Sequence, residues 1–270
     1  MSHPRDLLLK LNANARKSLS QNFLTSPHWA ENLARETAEA PGAEAIWEIG
    51  PGLGALTSQL VKLTSLPITL FEYDRKLAQY LRETFTHVDL REGDVLDADF
   101  TKIDEGKQRI AVLSNLPYHL SSAILFKLLD EKARILKAVL TFQKEFADRL
   151  VALPRTPDYG ALSILMQLHF EIRSLGVIPP GAFFPQPAID SKALSFHPLP
   201  IDFDAGEVKK VVKAAFAHRR KKISSNLKAV YPGKNFEAML GELGIGAMAR
   251  PEELSKEDFL RLTKLLISCT

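Results

Sequence analysis

The sequence predicts an α/β fold: a doubly wound parallel sheet covered by helices, followed by a small all-helical domain. Three observations carry this. Between residues 45 and 200, short apolar runs alternate with amphipathic stretches in β-then-α order. A glycine-rich segment, EIGPGLG from Glu48 to Gly54, joins the first apolar run to the amphipathic stretch after it. Beyond His197-Pro198-Leu199-Pro200, where two prolines stiffen the chain, only helical patterns remain.

The elements follow in order. AIWEIG (45–50) reads as a buried strand and ALTSQLVKL (55–63) as a helix. ITLFEY (68–73) is a strand and RKLAQYLRETF (75–85) a helix. IAVLSN (110–115) and KAVLTFQ (137–143) are strands, each followed by a helical pattern, SSAILFKLLD and KEFADRLVAL. Such regular order places strands parallel with helices on both faces. Two late strands are expected near FEIRSLGVI (170–178) and KALSFHPL (192–199), then helices over 204–218, 220–230, 235–244 and 256–267. Ser255 with Asp258 three residues on reads as a helix start. The expected domains are 1–200 and 201–270.

Composition narrows the function classes. The 270 residues are 46% hydrophobic and 25% charged, an ordinary globular balance. No apolar run approaches a membrane span, and residues 1–25 lack a secretory apolar core. The single cysteine, Cys269, excludes a disulfide within the chain, and a cytoplasmic setting is expected. The seven histidines show no paired ligand spacing, so no metal is expected. Net charge is only +3, but the nine basic residues between Val208 and Phe236 meet no acidic one. That run, with Arg16 and Lys17, is either a solvated face or a phosphate-binding surface.

Glycines after a strand let the backbone turn sharply and let a nucleotide lie against it. Gly50, Gly52 and Gly54 with Ala55 satisfy the dinucleotide pattern G-x-G-x-x-A, so a nicotinamide enzyme has to be weighed. The next strand ends in Phe71-Glu72-Tyr73-Asp74, where an acid can take both ribose hydroxyls of an adenosine cofactor. Glu92-Gly93-Asp94-Val95 follows, and Asp94 can accept from an adenine amino group. The loop also resembles the first motif of S-adenosylmethionine-dependent methyltransferases, in which an acidic residue leads E-x-G-x-G-x-G; Glu48 fits by position.

The strand IAVLSN ends in Ser114-Asn115-Leu116-Pro117-Tyr118. Its C-terminal end lies beside the glycine loop, where open α/β sheets place their ligands. An exocyclic amine on a base is a poor nucleophile because its lone pair is delocalised into the ring. The Asn115 side-chain oxygen and the Leu116 carbonyl can hold its two N–H groups, with Pro117 fixing the turn. Tyr118 can stack on the base, an interaction of about 1–3 kcal/mol. Such a site works by orientation and desolvation without a strong base.

On these segments the chain resembles the rRNA adenine N6,N6-dimethyltransferases, in particular the small-subunit (16S) type linked to kasugamycin sensitivity. The likeness runs through Arg16-Lys17 and Gln21-Asn22-Phe23-Leu24, EIGPGLGALT from Glu48, and Asn115-Leu116-Pro117-Tyr118. It continues in Phe142-Gln143-Lys144-Glu145, Ala182–Pro187 with Ile189-Asp190-Ser191, and Phe216–Lys221.

The resemblance implies a Rossmann-like, S-adenosylmethionine-dependent methyltransferase sheet with helices that dock RNA. The implied activity dimethylates two adjacent adenines in a hairpin loop near the 3′ end of 16S rRNA, with a role in small-subunit biogenesis. S-adenosylhomocysteine would be the second product, and the enzyme is expected to act as a monomer without a membrane.

Asn22 and Leu24 would close over the cofactor, with Gly50 and Gly52 beneath it and Glu48 leading the loop. Glu72 would hold the ribose and Asp94 the adenine. Asn115 would contact both cofactor and target amine, and Phe183 would face Tyr118 as a second aromatic wall. Arg16, Lys17, Arg219, Arg220, Lys221 and Lys222 would meet RNA phosphates.

Ser20, His119 and Ala188 stand where the family usually has Gly, Asn and Lys. Three alternatives remain on sequence: a 23S rRNA methyltransferase of the macrolide-resistance type, a nicotinamide dehydrogenase, and an RNA-binding assembly factor with dispensable catalysis.

Overall fold

The structure, a computed structural model, describes residues 4–11, 21–103 and 109–268. Its elements are α1 (Pro4–Lys10), β1 (Phe23–Leu24), α2 (Pro27–Ala38), β2 (Ala45–Ile49), α3 (Thr57–Leu63), β3 (Ile68–Glu72) and α4 (Arg75–Thr84). Then come β4 (Asp89–Glu92), β5 (Ile110–Asn115), α5 (Ser121–Asp130), β6 (Ile135–Gln143), α6 (Lys144–Val151), α7 (Ala161–His169) and β7 (Phe170–Ile178). β8 (Phe183–Phe184), β9 (Ser191–Pro198), α8 (Ala205–Ala215), α9 (Ile223–Val230), α10 (Phe236–Glu242) and α11 (Lys256–Ser268) complete the chain.

Contacts divide the chain into two units: residues 1–147 with 173–198, and residues 148–172 with 199–270. The division expected at residue 200 put 148–172 in the first domain. Those residues pack instead with the C-terminal helices, because Tyr159, Ile164, Leu165 and Leu168 share a buried core with Val211, Leu227 and Phe259.

In the first unit a seven-stranded sheet runs in the order β4-β3-β2-β5-β6-β9-β7. From β4 through β6 every pairing is parallel. All five residues of β2 are buried, as are the first five of β5, which is what strands covered on both faces require. β9 departs from the expected parallel order and runs antiparallel to β6. The connection from β7 into β9 holds only a short turn and β8, with no helix to carry the chain back for a parallel entry.

The two faces of the sheet are distinct. On one, Ile46, Leu70, Leu113, Val139 and Ala193 meet Leu33 and Ala34 of α2 and Leu60 of α3. On the other, Trp47, Phe71 and Phe100 form an aromatic cluster with centroids 4.6–5.8 Å apart. At the start of α4, Asp74 caps the helix by accepting from the Lys76 and Leu77 N–H groups. α2, α7, β4 and the small antiparallel pair β1–β8 were not foreseen from periodicity.

The second unit is helical. Val208, Val211, Val212, Ile223, Leu227, Phe236, Leu240, Phe259 and Leu262 form its centre. Ser255 and Asp258 exchange reciprocal bonds before α11: the Ser255 N–H donates to Asp258 at 2.9 Å, and the Asp258 N–H donates to Ser255 Oγ at 3.1 Å. No helix among the described residues is long and apolar enough to cross a membrane.

Candidate active site

A cleft of about 280 Å³ opens at the C-terminal ends of β2, β3 and β5. Sheet topology puts it there. β2 and β5 are parallel neighbours at the centre, so the loops after them diverge and leave a crevice. The glycine loop forms one wall and Asn115–Leu120 another.

The glycine loop follows β2 directly. Gly50 lies at φ +65°, and a Cβ placed on it would meet Pro117 Cδ at 3.9 Å, projecting into the gap between the two walls. Gly54 is more constrained: its φ is +77°, and a Cβ would come within 2.5 Å of the Phe85 ring. Both positions therefore require glycine for backbone conformation, and Gly54 also for space.

Glu72 ends β3 and is 5% exposed. One oxygen accepts from the Gly52 N–H at 3.0 Å and the other from the Asp74 N–H at 2.8 Å. Burial pushes its pKa up, partly opposed by these bonds. The carboxylate is thus tied to the glycine loop, and it lines the cleft with lone pairs to spare. Asp94 also lines the cleft; one of its oxygens accepts from the Leu96 N–H at 2.9 Å. Lys127 of α5 holds the same loop by donating to the Leu96 and Ala98 carbonyls at 2.9 and 2.6 Å.

Asn115 is the last residue of β5. Its Nδ2 donates to the Asn22 carbonyl at 2.9 Å, and its Oδ1 accepts from the Thr141 hydroxyl at 2.7 Å. Tyr118, three residues on, shares a 2.7 Å hydrogen bond with Ser191. Burial raises the Tyr118 pKa, so the phenol stays neutral at physiological pH.

Most residues singled out from sequence meet in this cleft: Asn22, Leu24, Gly50, Gly52, Glu72, Asp94 and Asn115 through Tyr118 all line it. Two do not. Glu48 faces the interior at 1% exposure, under the glycine loop, where it accepts from the Thr57 hydroxyl at 2.7 Å. Desolvation raises its pKa to about 8. Phe183 pairs with Leu24 across β1–β8 and is 4% exposed within the core that holds Leu33 and Ala182. It is not among the residues that line the cleft.

Thr141, Ser191 and Lys127 were not foreseen as site residues. Thr141 had a signal: a hydroxyl in the middle of the apolar run KAVLTFQ needs a partner.

In the second unit, Arg219 donates to the Pro157 and Tyr159 carbonyls at 3.0 and 2.9 Å. Its guanidinium is engaged in holding that loop, a structural use the charge pattern did not suggest. Lys210 and Lys228 pair with Glu207 and Glu237. Arg220, Lys221 and Lys222 are exposed before α9 and make no ion pair among the described residues. Arg16, Lys17, Ser20 and Cys269 lie outside the described residues.

Comparison with known proteins decides the family. The pattern described as ribosomal RNA adenine dimethylase matches residues 12–268. The chain belongs to that family. Ribosomal RNA small subunit methyltransferase A of Desulforapulum autotrophicum is 37% identical, the match covering 99% of this chain and 98% of that protein. Its counterpart in Geobacter sulfurreducens is 39% identical, with 94% and 96% covered.

Among solved structures, a dimethyladenosine transferase from Plasmodium falciparum superposes with a TM-score of 0.77 over 91% of this chain and 98% of its own. At 22% identity it speaks for the fold. The 23S rRNA methyltransferase ErmE gives 0.70 at 28% identity over 91% of this chain and 100% of its own. The sheet is thus the Rossmann-like one of rRNA methyltransferases, carried with a helical C-terminal part.

Proposed function

We propose that this member of the ribosomal RNA adenine dimethylase family transfers methyl groups from S-adenosylmethionine to the N6 amines of two adjacent adenines. The adenines lie in a hairpin loop near the 3′ end of 16S rRNA, presented by a small subunit or its precursor. The enzyme acts as a monomer in the cytoplasm, where subunits are assembled. The observation that carries the reading is Asn115: a carboxamide at a central strand end, held at both its ends, on the wall of a cleft that also presents Glu72 and Asp94.

The residues fit the cofactor. Gly50 leaves open the space a side chain would fill, Glu72 presents a carboxylate to the ribose hydroxyls, and Asp94 presents one to the adenine amine. Asn22 and Leu24 supply the opposite lip. S-adenosylmethionine, when bound, supplies an electrophilic methyl group on a sulfonium.

The chain supplies orientation. Asn115 Oδ1 and the Leu116 carbonyl accept the two N–H groups of the target amine and draw its lone pair out of conjugation. Pro117 fixes that carbonyl, and Tyr118, steadied by Ser191, lies against the base face. The amine sheds its proton to water only after it has become cationic, so no strong base is required. Arg220, Lys221 and Lys222 contribute phosphate contacts, which give affinity and register without sequence information.

The test uses purified protein, tritiated S-adenosylmethionine and small subunits lacking these methyl groups, with large subunits in parallel. N6,N6-dimethyladenosine from small subunits alone is expected. Label in large subunits alone would move the chain to the 23S activity that the ErmE likeness keeps in view. No label in either, with S-adenosylhomocysteine still bound, would favour the assembly-factor reading.

A further inference from the structure

We propose that Thr141 is a positioning residue for the methyl transfer, fixing the place of the Asn115 carboxamide oxygen from the neighbouring strand. The inference rests on the reading of Asn115 as the acceptor for the target amine. A carboxamide has two nearly isosteric ends, one accepting and one donating. Turned over, Asn115 would present an NH₂ to the amine and repel it.

Two contacts hold the present orientation. The Asn22 carbonyl only accepts, so it selects Nδ2 and with it which way round the amide lies; the Thr141 hydroxyl, able to donate or accept, then donates to Oδ1 at 2.7 Å and holds that oxygen in place. The two partners differ in support. Asn22 precedes the two-residue strand β1, outside the main sheet. Thr141 lies within β6, directly opposite Asn115 in the parallel ladder and beside β9 on its other edge. Of the two, Thr141 is fixed by the sheet itself.

Position and burial point the same way. Thr141 is 1% exposed, and its face of β6 continues the apolar row through Val139. Valine would fill that volume with equal strand preference. What threonine adds is one hydroxyl, and a buried hydroxyl without a partner is costly. Here its partner is Asn115. Because Oδ1 has a second lone pair, the Thr141 bond leaves it able to accept from a substrate amine.

Thr141→Val and Thr141→Ser test this. Turnover on unmethylated small subunits is expected to fall roughly 10- to 100-fold in Thr141→Val, about the effect of one lost orienting hydrogen bond. S-adenosylhomocysteine affinity and the urea unfolding midpoint should stay near those of wild type, and Thr141→Ser should restore turnover. A second readout does not need activity: the Asn115 side-chain NH₂ resonances, assigned by their loss in Asn115→Ala, should shift in Thr141→Val and return in Thr141→Ser. Wild-type turnover in Thr141→Val would overturn the inference, as would an unmoved Asn115 signal. Parallel losses of turnover, cofactor affinity and stability, unrelieved by serine, would make Thr141 a packing residue. If wild type itself made no dimethyladenosine, the functional reading would fail, while the resonances would still decide whether Thr141 holds Asn115 in place.

Discussion

Glu48→Gln should change how stability depends on pH. The Glu48 carboxyl is buried under the glycine loop, with one oxygen accepting from Thr57 and the other, Oε1, lacking a hydrogen-bond partner among the described residues. Desolvation raises its pKa from 4.5 to about 8, with a smaller push from the nearby Glu72 carboxylate and an opposing pull from Thr57. The folded protein therefore keeps a proton there that the unfolded chain releases above pH 4.5. Stability is unaffected below that pH, falls as pH rises toward 8, and levels off beyond it.

Each pH unit inside the window costs up to about 1.4 kcal/mol. From pH 5.5 to 7.5 the Glu48 share is up to about 3 kcal/mol, and relaxation around the site would reduce it toward about 1. Glu72 is shifted in the same direction and is present in wild type and variant alike, so their difference reports Glu48 together with its coupling to Glu72. Both tryptophans, Trp29 and Trp47, belong to the sheet unit, so urea unfolding followed by tryptophan fluorescence reports on it. Wild type should lose about 1–3 kcal/mol more than Glu48→Gln across those two pH units. Parallel pH curves would show that folded Glu48 is ionised and would refute the reasoning.

Ser191→Ala and Tyr118→Phe remove opposite ends of one hydrogen bond, so each should lower turnover by roughly 3- to 10-fold with cofactor affinity kept. Combining them should add nothing further, as a double-mutant cycle on turnover would show. Arg219→Ala should destabilise the helical unit by on the order of 1 kcal/mol through its lost carbonyl contacts, read as a lower unfolding midpoint by circular dichroism. Replacing Arg220, Lys221 and Lys222 together with alanine should instead leave that midpoint near wild type and weaken RNA binding. The slope of log affinity against log salt should flatten by about 2–3 units.

Much of this was legible in the sequence because it is local. The strand at 110–115 and the helix at 75–84 follow from apolar runs and period, and the cleft-lining acids follow from their places at or just after strand ends. What periodicity missed depends on partners distant in sequence. Phe183 matches an aromatic position by motif, but its pairing with Leu24, 159 residues earlier, and its place in the buried cluster with Leu33 and Ala182 are not local to it. Arg219 stands in a run of charge, yet two carbonyls of the loop at 157–159 engage it. Residues 148–172 sit in sequence between elements of the sheet unit, and only their contacts with the C-terminal helices assign them to the other unit.

The reversed strand β9 is the same kind of nonlocal feature, and the site depends on it. Parallel strands bring their C-terminal ends to one edge of the sheet, so Glu72 and Asn115 meet there without special arrangement. An antiparallel neighbour brings its N-terminal end to that edge instead. β9 pairs Ser191 with Gln143 and Ala193 with Thr141, so Ser191 arrives on the same face as Thr141 and Asn115. A parallel β9 would have delivered Pro198 to that place, which has no side-chain hydroxyl to pair with Tyr118. The direction of one strand therefore decides whether Tyr118 meets the Ser191 hydroxyl. That direction is set by the short connection from β7, which alternation of apolar residues within β9 cannot reveal.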